Sequence, residues 1–219
     1  MTMMIWSAAM RKKDGWKGDM ESVQKPAPGE LGIIHAFVNT ADRMMGTERL
    51  TSPRELGNWL ASQGLPSAGE ELTEADLRRA LAVREGLRAL LAVNNGAALD
   101  AKAVARLEQA ASPRFRVSFA GDGTGRLLTV SEGLDAAFGR LLAIVVAAQL
   151  GGEWKHLKAC ANPGCRGAFY DFTKNHSATW CATRRCGNLL NARAYRRFQR
   201  QLRAARVPYS FDTDDDDDF

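Results

Sequence analysis

The chain has 219 residues, of which 45% are apolar, enough for one globular domain and a small additional module. No apolar run approaches the roughly 20 residues that span a bilayer, since the longest, at 141–148, has only eight, and residues 1–10 lack a signal-peptide pattern. These features exclude a membrane-spanning protein and favour a cytoplasmic one. The net charge of +5 is uneven, because residues 154–206 contain twelve Lys or Arg and one acid.

Turn and capping residues divide the first half of the chain into helices. Residues 1–27 show no sustained period and are predicted to be poorly ordered, and structure should begin after the PAPG sequence at 26–29. Helical spacing of apolar residues follows from Leu31. Ser52, Thr73 and Asp100 are predicted N-caps of three further helices, the first with a proline at its first helical position. The second should end at the NNG sequence of residues 94–96.

The apolar period then changes from helical to two. Phe115, Val117 and Phe119 alternate with polar residues, a glycine-rich turn follows at 121–125, and residues 127–130 return, which predicts a β-hairpin. A helical stripe resumes at Leu134. We therefore expect an α+β fold: a predominantly α-helical domain with a small sheet at 28–152, a four-cysteine module with a basic helix at 153–206, and a disordered acidic tail at 207–219.

The four cysteines all lie within 27 residues, as two C-x4-C pairs: Cys160, Cys165, Cys181 and Cys186. Four clustered thiolates are the ligands of a closed structural zinc site, and such a site leaves no position for a catalytic water, which argues against an enzyme. Pro163 and Gly164 suit the centre of a type II turn that brings the first pair together. Two disulfides or four free thiols are the alternatives. His156 and His176 lie nearby but are expected outside the metal shell.

The last predicted helix is amphipathic and arginine-rich. At 100° per residue its arginines fall within an arc of about 120°, opposite an apolar side formed by Tyr195, Phe198, Leu202 and Ala205. That apolar side is expected to pack on the zinc module or the main domain. The basic side is expected to contact nucleic acid, although it could also remain a solvated surface. The candidate contact residues are Lys174, Arg184, Arg185, Arg193, Arg196, Arg197, Arg200 and Arg203.

Two sequence segments resemble known families. Residues 180–188 (WCATRRCGN) and 192–197 (ARAYRR) resemble the CGNR zinc finger, as do residues 157–160 (LKAC) and 168–171 (AFYD). Residues 36–40 (AFVNT) and the PxxLxxWL sequence of 53–60 resemble the ABATE domain, which precedes this finger in that family. The resemblance implies a four-cysteine Zn²⁺ site in a bacterial stress-induced transcription regulator, a description that is itself an inference within the family.

The chain departs from the family pattern at Leu189, where the family has arginine, and has few arginines before Trp180. Zinc binding is unaffected, but one cation is missing from the predicted basic side, and each lost phosphate contact weakens binding to duplex DNA. Asn39 and Thr40 are candidates for a ligand pocket in the ABATE-like domain, or else for a cap or turn after the first helix.

Two classes of function remain. The first is a zinc-binding bacterial transcription regulator that binds DNA, whose N-terminal domain senses a small-molecule effector or forms a homodimer. The second is a zinc-stabilised module that binds RNA, the ribosome or a protein. DNA is favoured over RNA, although an arginine-rich side with few Asn or Gln suits the phosphate backbone better than base edges.

Overall fold

The computed structural model describes residues 25–66 and 72–205. Residues 1–24 of the predicted poorly ordered segment, and the whole acidic tail, lie outside these ranges. The predicted α+β class is confirmed: within the described residues the chain forms helices and three two-stranded antiparallel sheets. The helices are α1 Leu31–Val38, α2 Pro53–Ser62, α3 Glu74–Val93, α4 Ala101–Ala110, α5 Gly133–Leu150 and α6 Asn188–Ala205. The strands are β1 Ala41–Asp42, β2 Thr47–Glu48, β3 Phe115–Phe119, β4 Gly125–Thr129, β5 Leu157–Ala159 and β6 Ala168–Tyr170.

The predicted caps fix the starts of three helices. The side chains of Ser52 and Asp100 each accept a hydrogen bond from the backbone N–H three residues on. Thr73 and Asp76 form a reciprocal capping box, with the Thr73 N–H donating to the Asp76 carboxylate at 3.0 Å. These contacts satisfy N–H groups that have no partner within the helix, so the helix boundaries follow from local sequence.

Helix α3 is the centre of the helical domain, packing against α1, α2, α4 and strand β5. One continuous core joins these elements to α5. Its fully buried side chains include Ile34, Leu56, Leu87, Leu91 and Leu141. The predicted β3–β4 hairpin is present and lies on α5 through β4, with Phe115 paired to Thr129 and Phe119 to Gly125.

Helix α5 is long and apolar enough, by length and composition alone, to cross a membrane. Half of it is buried inside the fold, where Phe138, Leu141 and Ile144 contribute to the common core. A helix buried in the core of a soluble protein can have the same length and composition.

Gly86 sets the distance between α3 and α4. A Cβ at this position would lie 2.4 Å from the Leu107 Cβ and 3.1 Å from the Ala103 carbonyl oxygen. We expect Gly86→Ala to lower the free energy of unfolding by about 1–2 kcal/mol, because the cost of overpacking exceeds the gain in helix propensity. Urea unfolding measures this change. Gly57→Ala in α2 is the control, since its Cβ would make an ordinary 3.7 Å contact with Leu72, and it should not destabilise the protein.

Candidate metal centre

The cysteine module begins with a strand pair that is part of the main core. Strands β5 and β6 are antiparallel, with Leu157 opposite Tyr170 and Ala159 opposite Ala168. Leu157, Ala159 and Ala168 are at most 2% exposed and belong to the same apolar cluster as the helices. The base of the module is therefore held in place by burial against α1 and α3.

Side chains of the helical domain hydrogen-bond the backbone of this strand pair. The Asn39 side-chain amide donates to the Ala168 carbonyl at 2.9 Å and accepts from the Ala168 N–H at 2.8 Å, as a neighbouring strand would. His35 Nε2 donates to the same carbonyl at 3.1 Å, and burial lowers the pKa of this histidine. Asn94 and Asn95 donate to carbonyls of the segment that contains β5. The asparagines predicted to end α3 therefore join the helical domain to the cysteine module.

Two arginines of α3 are also buried, and one of them, Arg88, adds to this attachment. Arg88 is 1% exposed, and its guanidinium donates to the Arg166 carbonyl at 2.8 Å, to the Val38 carbonyl at 2.7 Å and to Glu85. Arg84 makes a two-bond contact with Glu48 at 2.7 Å for each bond. Sequence reasoning missed both residues. The only local signal is their four-residue spacing, which places them on the same helix face as apolar core residues.

The loop between the first two cysteines is a turn, but not of the predicted type. The Cys165 N–H donates to the Asn162 carbonyl at 2.9 Å, so Pro163 and Gly164 are the central residues as expected. A type II turn needs a positive φ at Gly164, and this glycine does not have one. The type II prediction is wrong because the Asn162 side chain accepts the Gly164 N–H at 3.1 Å, and the positive φ falls instead on Arg166, at 50°.

The four cysteine sulfurs converge on one point. All four Sγ atoms lie within 4.8 Å of one another, and Cys181 Sγ is 3.6 Å from both Cys165 Sγ and Cys186 Sγ. These are non-bonded distances, so within the described residues the alternative of two disulfides does not hold. A Zn²⁺ ion with Zn–S bonds of about 2.3 Å would hold tetrahedral sulfurs about 3.8 Å apart. The donor set therefore fits Zn²⁺.

The cluster has the electrostatics of a metal site. The Cys165 sulfur accepts hydrogen bonds from the Cys160 and Cys181 thiols, which lowers the pKa of Cys165, while the contact with Cys165 raises the pKa of Cys160. The pKa of Cys181 is raised by its contacts with Cys160 and Cys165. Neighbouring thiolates repel each other, and a divalent cation at their centre supplies the charge that lets all four ionise.

A buried ion pair supports the second half of the module. The Lys158 ammonium, whose side chain is 7% exposed, lies 2.8 Å from the fully buried Asp171 carboxylate. It also donates to the His176 and Ala178 carbonyls. Burial would raise the pKa of Asp171, but hydrogen bonds from Lys158 and Thr173 lower it to about 2. Sequence reasoning gave this pair no structural role, although Asp171 is the single acid between residues 154 and 206.

His156 and His176 are absent from the group of potential metal ligands among the described residues. Instead their rings stack, with centroids 3.7 Å apart, and His176 Nδ1 donates to the Asp171 carbonyl. Asn39 is the C-cap residue of α1, and the Thr40 hydroxyl donates to the Phe37 carbonyl and accepts from Arg84. Asn39 thus occupies a cap position through its backbone while its side chain bonds Ala168, and Thr40 lies in the turn after α1. A ligand pocket at these residues stays a prediction.

The predicted cations lie in three segments of the module. Lys174 is exposed in the loop after β6, and Arg185 is exposed and paired with Asp42 at 3.0 Å. Arg185 is in a short π-helical segment, Thr183–Gly187, that carries the last cysteine and leads into α6. Arg196, Arg197 and Arg200 are exposed on α6. Arg184 lies in the π-helical segment, and Arg193 and Arg203 lie in α6.

Helix α6 does not pack its apolar side as predicted. Tyr195 is 64% exposed and Phe198 is 55% exposed, and the helix makes its main contacts with the π-helical segment just before it. The expectation that this side would lie against the zinc module or the main domain is wrong for these two residues. No core helix or strand makes comparable contacts with α6 within the described residues, so Tyr195 and Phe198 lie uncovered.

Comparisons with known proteins agree with this architecture. Residues 33–151 match the ABATE family model, described as "Putative stress-induced transcription regulator", and residues 156–199 match the CGNR zinc finger model. No curated protein matches the chain. The first match covers more than half of the 219 residues, and the second includes all four clustered cysteines. The chain therefore belongs to the ABATE family and carries a CGNR zinc finger after its ABATE domain.

Proposed function

We propose that the protein is a cytoplasmic bacterial transcription regulator that binds DNA through its zinc module. Cys160, Cys165, Cys181 and Cys186 hold one structural Zn²⁺, which fixes the start of α6 next to the last ligand. The zinc shell is closed by four thiolates, so the module binds rather than catalyses. The proposed contact residues are the eight cations named from the sequence, from Lys174 to Arg203.

The observation that carries this proposal is the free basic surface of α6. Residues 154–206 have twelve cations and one acid, and that acid, Asp171, is buried against Lys158. Arg196, Arg197 and Arg200 are exposed, and none of them forms an ion pair with another described residue. Guanidinium groups free of acidic partners are available to phosphates, and a positive surface attracts nucleic acid before contact is made.

The triple variant Arg196→Ala/Arg197→Ala/Arg200→Ala tests this surface. Each phosphate contact on duplex DNA contributes about 0.9 to the slope of log K against log salt, so the slope should become shallower by about 2–3. Affinity should fall roughly equally for all duplex sequences, because these contacts are to the backbone. The measurement is a binding titration at several salt concentrations.

The control carries the same charge loss on the ABATE domain. Arg54, Arg78 and Arg106 are exposed there, and replacing all three with Ala should change affinity and slope little. Equal losses in both triple variants would mean that net charge alone drives binding. An unchanged slope in the α6 variant would contradict the proposal and favour a protein partner.

One observation favours a second candidate, binding to unpaired RNA or DNA. Tyr195 and Phe198 are exposed on the side of α6 opposite its arginines, and exposed aromatic rings stack on unpaired bases at about 1–3 kcal/mol per base. A parallel titration with single strands and structured RNA separates the candidates. Tyr195→Ala/Phe198→Ala should weaken only single-strand binding if the aromatic rings stack on bases. Under both candidates, duplex DNA binding and single-strand binding, the N-terminal domain serves as the sensing or dimerising part.

A further inference from the structure

The β3–β4 hairpin has an exposed apolar face on its outer strand. Phe115, Val117 and Phe119 are 38%, 61% and 72% exposed, and they share one face because side chains alternate along a strand. Within the described ranges, β3 pairs only with β4. A contiguous exposed apolar face on a folded protein marks an interaction surface.

The hydrogen-bond pattern of the hairpin shows which backbone groups of β3 remain open. The Val130 N–H donates to the Arg114 carbonyl, and the Ala120 N–H donates to the Thr124 carbonyl, both at 2.9 Å. Bonded positions in an antiparallel pair recur every second residue, so Arg114, Arg116, Ser118 and Ala120 face β4. The N–H and C=O groups of the three residues between them therefore point away from the hairpin.

The sequence of β3, FRVSF, is suited to antiparallel pairing with a second copy of the same strand. If two copies pair antiparallel about Val117, this valine lies opposite its own counterpart, Phe115 lies opposite Phe119, and Arg116 lies opposite Ser118. No like charges face each other, and aromatic pairs across strands stabilise a sheet by about 0.2–1 kcal/mol each. In this register the residues with outward N–H and C=O groups, 115, 117 and 119, lie opposite one another. The two copies can therefore form about six backbone hydrogen bonds in total.

The surface beside the hairpin extends this apolar area. A groove of about 510 Å³ lies between the hairpin and α5, and its lining includes Val117, Leu127 and Val146. Leu150 at the end of α5 also borders the groove and is 86% exposed. The exposed apolar area of the hairpin therefore continues onto α5.

We propose that the protein forms a two-fold homodimer in which β3 pairs with β3 of a second copy, producing a four-stranded antiparallel sheet. Such an interface uses the same surface on both copies, so it closes and does not propagate into fibres. It also covers the open strand edge that otherwise risks aggregation. The dimer does not depend on nucleic-acid binding, so the two proposals can fail separately.

A cysteine at the two-fold position gives the direct test. In the zinc-loaded full-length protein, Val117→Cys should form an intermolecular disulfide under mild oxidation, because bonded residues opposite each other have Cα atoms about 5.5 Å apart. Ser118→Cys is the matched control: Ser118 lies opposite Arg116 and not opposite itself, so this variant should not cross-link. Equal cross-linking in both variants, or none in Val117→Cys, would overturn the proposed pairing.

A proline at the same residue tests the backbone hydrogen bonds. Val117→Pro removes an outward N–H and leaves the bonds to β4 intact, so the mass measured by light scattering should fall from twice 23.9 kDa to 23.9 kDa. Val117→Thr keeps the N–H and should remain dimeric. A wild-type mass of 23.9 kDa at tens of micromolar, or a folded Val117→Pro dimer, would overturn the proposal. If the proline variant does not fold, the cross-linking pair decides.

Discussion

Replacement of Cys186 by Ser is expected to abolish zinc binding and to destabilise the whole chain rather than the cysteine module alone. Cys186 is fully buried, and loss of one thiolate opens a four-thiolate shell whose binding free energy in small zinc modules is about 10–16 kcal/mol at neutral pH. Leu157 and Ala168 of the same module belong to the main apolar core. Disorder in the module should therefore spread to α1 and α3.

We expect an unfolding midpoint lower by at least about 6 °C, which corresponds to about 3 kcal/mol or more in a chain of this length. Metal analysis should give one zinc per chain for the wild type and none for the variant. Ala182→Ser, which adds a hydroxyl next to the cluster but removes no sulfur, is the control and should retain zinc. A zinc-free wild-type protein that is equally stable would contradict the expectation, and readdition of zinc to chelated wild-type protein should restore the midpoint.

Local chemistry made the helix starts and the metal cluster predictable from the sequence. A cap side chain needs only the N–H three residues ahead of it, so Ser52, Thr73 and Asp100 could be identified without knowledge of the fold. Cysteine spacing is similarly informative, because two C-x4-C pairs indicate either a shared metal ion or disulfides. The structure then excluded disulfides through the sulfur distances.

Contacts between distant segments were not predictable in this way. Arg84 and Arg88 lie on a helix whose leucines predicted the core, yet both arginines are also buried. Their burial depends on acceptors that come from other segments, the Thr40 hydroxyl and the Arg166 carbonyl. The spacing of apolar residues along α3 does not reveal acceptors in distant segments, and arginine side chains are generally expected to be exposed.

The same limit explains the two wrong expectations. Proline followed by glycine suits a type II turn, but the Asn162 side chain competes for the Gly164 N–H and changes the backbone angles. Helical projection correctly separates arginines from aromatic residues on α6, but it does not determine whether a surface is available to bury the apolar side. Exposure of Tyr195 and Phe198 became evident only once the position of the helix was known.

Asp171→Asn is expected to cost about 3–5 kcal/mol in unfolding free energy, because it leaves the Lys158 ammonium buried without its carboxylate. The two Asp171 oxygens accept from four donors: one from Lys158 Nζ and the Ala178 N–H, the other from the Thr173 N–H and hydroxyl. An asparagine has one amide oxygen and one NH₂ group in place of the two carboxylate oxygens. In either orientation its NH₂ group would face two hydrogen-bond donors, so no rotamer satisfies the site.

Urea unfolding at neutral pH measures this loss, and Asp122→Asn provides the control. Asp122 also accepts a backbone N–H, from Thr124 at 2.9 Å, but lies exposed in the hairpin turn, where substitutions usually change stability by less than about 0.5 kcal/mol. The double variant Asp171→Asn/Lys158→Met should recover part of the loss, because it removes the unpaired charge. A loss in Asp171→Asn no greater than in Asp122→Asn would mean that water reaches Lys158, and that the ion pair does not hold β5 to the loop after β6.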